Sequence, residues 1–375
     1  MHMEKEFAEN MPKLGFGLMR LPRIDENTID VEQTKVMVDR FLAAGMKYFD
    51  TAYVYPGSED AIREALVKRY PRESYYLATK LNSRVANTAE EAKAQFEESL
   101  RRTEAQYFDF YLLHAIGEST LPKYDEFKIW DFVKQLKAEG KIKHYGFSFH
   151  HTPEVLERLL TEHPDVEFVQ LQINYADWED PKVNSGILYD ICRRHNKPIV
   201  VMEPVKGGTL ANPPATVRKI LNEANPDVSL ASWAIRYVAS KEGILVVLSG
   251  MSNVEQMEDN LSFMKEFKPL SEEEAKTIER CQKVFRSTDQ IPCTACHYCT
   301  PGCPMQINIP EIFAAMNQNL VFGEPEKAKE MYAEVLGAGS GRASDCIGCL
   351  QCEGACPQKI EITSWLGKIA EYMGE

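Results

Sequence analysis

Eight of the ten cysteines lie in two short runs with identical spacing. The first run consists of Cys293, Cys296, Cys299 and Cys303, followed by Pro304. The second consists of Cys346, Cys349, Cys352 and Cys356, followed by Pro357. Both runs read C-x2-C-x2-C-x3-C-P, so each run presents four thiols to a ligand with the same spacing. The last quarter of the chain must therefore fold around these cysteines.

This spacing is the bacterial ferredoxin pattern, in which three thiolates wrap one iron–sulfur cubane and the fourth cysteine binds the other cluster. We therefore predict two [4Fe–4S] clusters. The first would be held by Cys293, Cys296, Cys299 and Cys356, and the second by Cys346, Cys349, Cys352 and Cys303. Zinc is disfavoured because its sites use cysteine pairs that a longer spacer separates. Cys192 and Cys281 lie outside the runs and are expected to be ordinary thiols.

The segment between the runs is longer than the spacer of a compact ferredoxin. It contains two predicted helices, one beginning near Pro310 and one over Pro325–Leu336. Proline suits the first turn of a helix because its missing N–H has no intrahelical partner there. We predict that residues 281–375 form a small helical domain resembling the two-cluster ferredoxin domains fused to redox enzymes.

The first 280 residues alternate between apolar runs and amphipathic helical stretches. The runs predict eight strands, at Leu14–Met19, Lys47–Thr51, Tyr75–Thr79, Phe108–Leu113, Tyr145–Phe149, Phe168–Ile173, Pro198–Met202 and Leu245–Leu248. Strands buried on both faces read as continuous apolar runs, as these do. Eight βα units in about 250 residues predict an α/β fold of the closed (β/α)8 TIM barrel type over residues 1–280. A doubly wound sheet is the alternative, but no strand is followed by G-x-G-x-x-G.

Charge and hydropathy exclude several classes of function. The formal net charge is −13, and an acidic surface repels nucleic-acid phosphates. No apolar stretch is long enough for a membrane span. The polar N-terminus does not resemble a secretory signal, and ten cysteines suit a reducing compartment. A cytoplasmic location is therefore expected.

Four polar residues follow predicted strands. Asp50 ends the second strand, Lys80 the third and His114 the fourth, and Tyr55 comes five residues after Asp50. In a (β/α)8 barrel these strand ends share the rim at which chemistry takes place. An adjacent ammonium favours the phenolate form of a tyrosine, and a histidine can hydrogen-bond a carbonyl oxygen. The group is suited to protonating a carbonyl oxygen while hydride arrives at carbon.

The sequence resembles the aldo-keto reductase superfamily at these residues. The resemblance extends through Gly15-Phe-Gly17, Phe49–Tyr55, Asp109–His114, Gly140-Lys-Ile142, Gly146-Phe-Ser148, Glu203-Pro204 and Ser249-Gly250. It implies that Tyr55 is the general acid, that Lys80 paired with Asp50 tunes it, and that His114 orients the carbonyl. The whole chain resembles the subfamily that carries a C-terminal ferredoxin domain.

The resemblance also implies a nicotinamide cofactor, NADP or NAD. The positions that match its binding residues are Ser148, Gln170, Met202, Pro204, Lys206, Gly207, Gly208, Gly250, Met251, Ser252, Gln256 and Asn260. Many members have basic residues where Gly250 and Gln256 stand, and these bind the 2′-phosphate of NADP. The choice between the two dinucleotides therefore stays open at this point.

The sequence leaves two candidate functions. The first is an NAD(P)-dependent oxidoreductase that interconverts a small-molecule carbonyl and an alcohol, with the clusters transferring electrons or stabilising structure. The alternative is an iron–sulfur electron-transfer or partner-binding protein whose barrel has little turnover. In either case the acidic cluster domain would suit a redox partner with a basic face.

Overall fold

The strands form a closed barrel. The computed structural model describes residues 10–25, 27–287 and 289–375. Within these residues, eight parallel strands pair in chain order and β8 pairs with β1. They are β1 Leu14–Gly17, β2 Tyr48–Asp50, β3 Tyr76–Leu81, β4 Phe108–Ile116, β5 Ile142–Phe149, β6 Phe168–Gln172, β7 Ile199–Met202 and β8 Ile244–Ser249. The predicted TIM barrel is confirmed.

Helices alternate with these strands and continue beyond them. In the first part of the chain they are α1 Val31–Ala43, α2 Ser58–Ile62, α3 Ala89–Thr103, α4 Leu121–Glu126, α5 Ile129–Ala138, α6 Pro153–Glu162, α7 Ser185–Arg194, α8 Ala215–Ala224, α9 Leu230–Ala239 and α10 Val254–Met264. Those that follow are α11 Glu272–Ser287, α12 Ile309–Phe322, α13 Pro325–Gly337, α14 Gln351–Ala355 and α15 Ile362–Met373.

Local sequence signals account for several helix starts. The Thr88 hydroxyl accepts from the Glu91 N–H at 3.2 Å at the start of α3. Asp30 accepts from the Gln33 N–H at 2.9 Å at the start of α1. Each side chain satisfies an N–H that has no partner inside the helix.

Aromatic and branched side chains fill the barrel. Tyr48, Phe110 and Phe168 form one buried cluster with Val200. Gly146 on β5 is required by the close approach of β6, because a Cβ there would lie 2.3 Å from the Phe168 carbonyl oxygen. The barrel interior is thus a packed core, and polar chemistry is left to the strand ends.

The chain divides into two compact units. The first contains the described residues up to 179 together with 184–204 and 231–271, and includes all the barrel strands. The second contains 180–183, 205–230 and the described residues from 272 to 375. The boundary predicted between residues 280 and 281 falls within α11 and stays a prediction.

The second unit has a helical core. Ile312 and Phe313 of α12 pack with Ile362, Leu366 and Ile369 of α15, and all five are buried. Both helices predicted between the cysteine runs are present as α12 and α13. Among the described residues, the structure contains no helix with the length and apolar character needed to cross a membrane.

Candidate active site and cluster sites

The four predicted rim residues lie in or after three neighbouring strands of the barrel. Asp50 is the last residue of β2, and Lys80 is the penultimate residue of β3. His114 lies in β4, within an irregularity in the pairing of β4 with β5 between Leu113 and Ile116. Tyr55 stands between β2 and α2. Because neighbouring strands are parallel, they bring three of the four residues to the same end of the barrel.

Asp50 and Lys80 form a buried ion pair. The Lys80 ammonium donates to Asp50 Oδ1 at 2.5 Å and to the Thr51 carbonyl at 2.7 Å. The side chains are 4% and 1% exposed. Burial raises the pKa of the Asp50 carboxyl and lowers the pKa of the Lys80 ammonium, while their mutual attraction opposes both shifts. Each charge therefore depends on the other for its stability.

Tyr55 and His114 complete the site. The Lys80 Nζ lies 5.1 Å from the centre of the Tyr55 ring. The Tyr55 and His114 rings are 5.7 Å apart and nearly perpendicular, at 83°. Burial, together with the Lys80 charge, lowers the pKa of His114 well below its usual value. The imidazole is therefore neutral at physiological pH and can donate a hydrogen bond without carrying charge.

The loop that carries Tyr55 is held by residues that the sequence pattern did not reveal. Buried Glu59 accepts from the Thr79 hydroxyl at 2.8 Å and pairs with Arg102 at 3.3 Å. Arg102 also donates to the Tyr53 carbonyl at 2.9 Å and lies 4.4 Å from the centre of the Tyr53 ring. In the sequence Glu59 stands four residues after Tyr55. The sequence alone does not distinguish a buried glutamate at this position from a solvated one.

Tyr124 fixes the ends of two strands. Its hydroxyl lies 2.9 Å from the Leu81 carbonyl oxygen of β3 and 2.7 Å from that of His114 on β4. Tyr124 is fully buried, and burial raises its pKa above the ordinary value. The hydroxyl therefore stays protonated and holds the backbone from which Lys80 and His114 project.

Ser148 and Gln170 are neighbours across the β5–β6 pairing. The Ser148 hydroxyl accepts from the Ala115 N–H at 2.7 Å, which leaves its hydrogen available to donate. Gln170 is 3% exposed, and its Oε1 has no hydrogen-bond partner among the described residues. A buried acceptor and a hydroxyl donor side by side fit the two ends of a carboxamide.

The remaining predicted cofactor residues of the barrel lie at the end of β7 or after β7 and β8. These are Met202, Pro204, Gly250, Met251, Ser252, Gln256 and Asn260. Gln256 Oε1 accepts from the Ser252 N–H at 2.8 Å, and the Asn260 amide donates to the Gln256 carbonyl at 2.7 Å. Asn260 Oδ1 is buried with no partner in the described part of the chain, so it fits an amino group of a ligand such as adenine.

Lys206, Gly207 and Gly208 belong to the second unit. Gly207 has a left-handed φ of 63°, and a Cβ there would lie 2.6 Å from the Thr294 carbonyl oxygen. Thr294 follows Cys293 in the first cysteine run. Glycine is therefore required at 207 by packing within this unit, whereas the family resemblance implied only a role in cofactor binding.

The four cysteines predicted to hold the second cluster line one cavity. Cys303, Cys346, Cys349 and Cys352 surround it with Pro304, Ile307, Ile309 and Leu366 among its apolar lining. Cys303 comes from the first run and the other three from the second. The fold therefore brings together the crossed set of thiols.

The four cysteines predicted for the first cluster are also neighbours. Burial raises the pKa of Cys299 to about 12, with further upward contributions from Cys296, Cys293 and Cys356. The pKa of Cys293 is likewise raised to about 12, by burial and then by Cys296 and Cys356. Such thiols need a bound cation to ionise at neutral pH, which an iron centre supplies.

No disulfide joins any of the ten cysteines, all of which are described. Cys192 and Cys281 are buried in helices of the two units. Within the described ranges, no three His, Cys, Asp or Glu side chains are spaced to hold a single metal ion. A cubane binds each thiolate through a different iron, so its ligands stand farther apart than those of one ion.

Two family models match the chain. Residues 13–283 match the Aldo/keto reductase family, and residues 292–361 match the 4Fe-4S dicluster domain.

Among curated proteins, the chain is 24% identical over 302 residues to an uncharacterized oxidoreductase, YqkF, of Bacillus subtilis, covering 72% of this chain and 92% of that protein. It is 28% identical over 282 residues to a 9,11-endoperoxide prostaglandin H2 reductase of Trypanosoma cruzi, covering 72% and 87%.

Solved structures show the same fold. The holo form of the aldo-keto reductase AKR11C1 from Bacillus halodurans superposes with a TM-score of 0.59 at 26% identity, covering 72% of this chain and 91% of that one. An aldo-keto reductase from Klebsiella pneumoniae in complex with NADPH has the same TM-score at 24% identity, covering 75% and 95%. At that identity, the second likeness concerns the fold alone.

Proposed function

The chain belongs to the aldo/keto reductase family and carries a 4Fe-4S dicluster domain, and we propose that it interconverts a carbonyl and an alcohol by hydride transfer with NADP or NAD. The observation that carries this proposal is the buried Asp50–Lys80 pair beside Tyr55, with neutral His114 at the edge of the same ring. A small-molecule carbonyl compound is the proposed substrate.

Each rim residue has a role that follows from its surroundings. A bound nicotinamide supplies hydride to the carbonyl carbon. Tyr55 donates the proton to the carbonyl oxygen, and the nearby Lys80 charge stabilises the phenolate that remains. Asp50 keeps Lys80 protonated in a buried position. His114 donates a hydrogen bond that orients the carbonyl.

The test removes one oxygen atom. Tyr55→Phe should lower kcat for reduction of a simple aldehyde by about a hundredfold or more, since general acid catalysis contributes that much. Binding of NADPH, measured by protein fluorescence, should be unchanged. Tyr53→Phe is the matched control because Tyr53 lies two residues away, under Arg102. Equal losses in both variants, or a wild-type barrel without turnover, would refute the assignment.

Ser148, Gln170 and Asn260 support dinucleotide binding through the donors and acceptors described above. For the choice of dinucleotide we propose NADP, because Arg20 lies beside Gly250. Its Cβ and Cδ are 3.8 and 3.9 Å from the position that a Cβ on Gly250 would take. Arg20→Gln should raise the KM for NADPH about tenfold, the effect of losing one charge-assisted hydrogen bond, and leave the KM for NADH unchanged. A parallel rise in both KM values would contradict a 2′-phosphate contact.

We further propose two [4Fe–4S] clusters with crossed ligand sets. Anaerobically purified protein should contain about eight iron and eight sulfide per chain. Cys303→Ala combined with Cys346→Ala removes two ligands of one cluster and should leave about four iron. Cys303→Ala combined with Cys293→Ala removes one ligand of each and should leave little iron. The reverse outcome would assign Cys303 to the first cluster, and zinc without sulfide would refute both sets.

A further inference from the structure

Three large apolar side chains are exposed beside the second set of cysteines. Met305 is 37% exposed, Ile347 is 65% exposed and Leu350 is 55% exposed. Met305 follows Cys303 by two residues, and Ile347 and Leu350 lie on either side of Cys349. We call these three residues the Leu350 patch.

The patch is continuous with the proposed cluster site. Met305 and Ile347 line the same cavity as Cys303, Cys346 and Cys349. Cys349 itself is exposed, whereas Cys296, at the same position of the first run, is half-buried. The cluster in this cavity would therefore lie directly beneath apolar surface. Electron tunnelling slows steeply with distance, so a carrier bound here would be well placed for exchange.

Leu350 stands on the loop that the second cysteine run forms. Its φ is 62°, and His297, at the same position of the first run, has a φ of 60°, so the left-handed backbone belongs to the loop of both runs. What is particular to Leu350 is a large apolar side chain that this loop leaves exposed. That side chain is therefore open to a contact outside the folded chain.

The charge of this segment selects the kind of partner. Residues 291–375 contain ten acidic and five basic side chains. Each cubane with four thiolates adds a further charge of about −2 when oxidised. A second copy of this chain would bring two acidic surfaces together and be repelled. A carrier with an apolar centre and a basic surround is complementary in both respects.

We propose that the Leu350 patch is the docking surface for a basic one-electron carrier protein, which exchanges electrons with the second cluster. The inference rests on the proposed ligand sets. In the reducing direction, one electron leaves the carrier and enters the oxidised cluster. In the other direction, one electron leaves the reduced cluster and enters the carrier. The small patch suits the transient, low-area contacts typical of electron transfer.

The test uses ferricytochrome c as a basic one-electron acceptor. Chemically reduced holoprotein is mixed with it, and haem reduction is followed by absorbance at several salt concentrations. Leu350→Asn removes the apolar side chain while asparagine tolerates the left-handed backbone. We expect its second-order rate to fall about tenfold, as for a contact worth about 1.4 kcal/mol. The wild-type rate should also fall as salt rises.

Two controls separate docking from damage to the cluster. Phe322→Gln removes another exposed apolar side chain of the same unit, one that is not part of the Leu350 patch, and should leave the rate unchanged. A small neutral quinone should oxidise wild type and Leu350→Asn equally. A rate for Leu350→Asn equal to that of wild type, or a wild-type rate independent of salt, overturns the docking proposal. Iron below about eight per chain in wild type would instead overturn the cluster proposal.

Discussion

Asp50→Asn tests whether the Asp50–Lys80 ion pair stabilises the fold as well as supporting catalysis. Asparagine keeps an oxygen that can accept from Lys80, so the change removes charge rather than shape. It leaves the Lys80 ammonium, whose side chain is 1% exposed, without the negative charge it pairs with, although the Thr51 carbonyl still accepts from it at 2.7 Å. Breaking a buried pair on one side costs about 3–5 kcal/mol. Because the hydrogen bond survives, we expect about 3 kcal/mol.

The double variant Asp50→Asn/Lys80→Met isolates the charge effect. Methionine fills a similar volume without charge, so the double variant should be more stable than Asp50→Asn alone, although it also lacks the catalytic ammonium. The measurement is urea unfolding by tryptophan fluorescence in a Trp365→Phe background. Trp130, Trp178 and Trp233 then report on the first unit, which contains the barrel.

The coupling between the two sites decides the result. If the effects of Asp50→Asn and of Lys80→Met on the free energy of unfolding simply add in the double variant, the two side chains have no interaction energy. The reasoning from buried charge is then wrong. A cost below about 1 kcal/mol for Asp50→Asn, the value of an exposed pair, would have the same meaning. Catalytic turnover should be low in both variants, whereas their free energies of unfolding should differ. The effect on stability is therefore measured independently of the effect on activity.

Other perturbations give distinct outcomes. Below pH 6.5 the unfolded chain protonates His114 while the folded chain does not, so the free energy of unfolding should fall by up to about 1.4 kcal/mol per pH unit; His114→Gln should flatten this slope, and equal slopes would contradict a neutral buried imidazole. Gly146→Ala should destabilise the barrel by about 1–3 kcal/mol through contact with the Phe168 carbonyl, whereas Gly117→Ala, with its nearest atoms at 3.8 Å, should cost less in the same urea experiment. Cys192→Ala should leave the iron content unchanged, and a loss of iron would place this thiol at a cluster.

Sequence reasoning predicted the barrel because strands buried on both faces carry their own signal. All eight apolar runs became strands. The positions of the rim residues could also be predicted, since the end of a parallel strand fixes the end of the barrel at which a side chain lies. Their roles stay a prediction.

The supporting contacts could not be predicted. Glu59, Arg102 and Tyr124 act through partners that lie 10 to 49 residues away in the sequence, and only tertiary packing brings these residues together. Likewise, the need for glycine at 207 comes from Thr294, a contact between segments far apart in the chain. Periodicity describes which face of an element is buried, and it carries no information about which polar groups meet there.

The two proposed activities differ in electron count, and this difference makes them separable. Hydride carries two electrons as a pair to one carbon, and Tyr55 supplies the proton, so carbonyl reduction at the rim requires no unpaired electron. A cubane passes electrons singly. Turnover of an aldehyde should therefore survive Leu350→Asn, and ferricytochrome c reduction should survive Tyr55→Phe. Loss of both activities in either variant would mean that the clusters take part in the hydride chemistry itself.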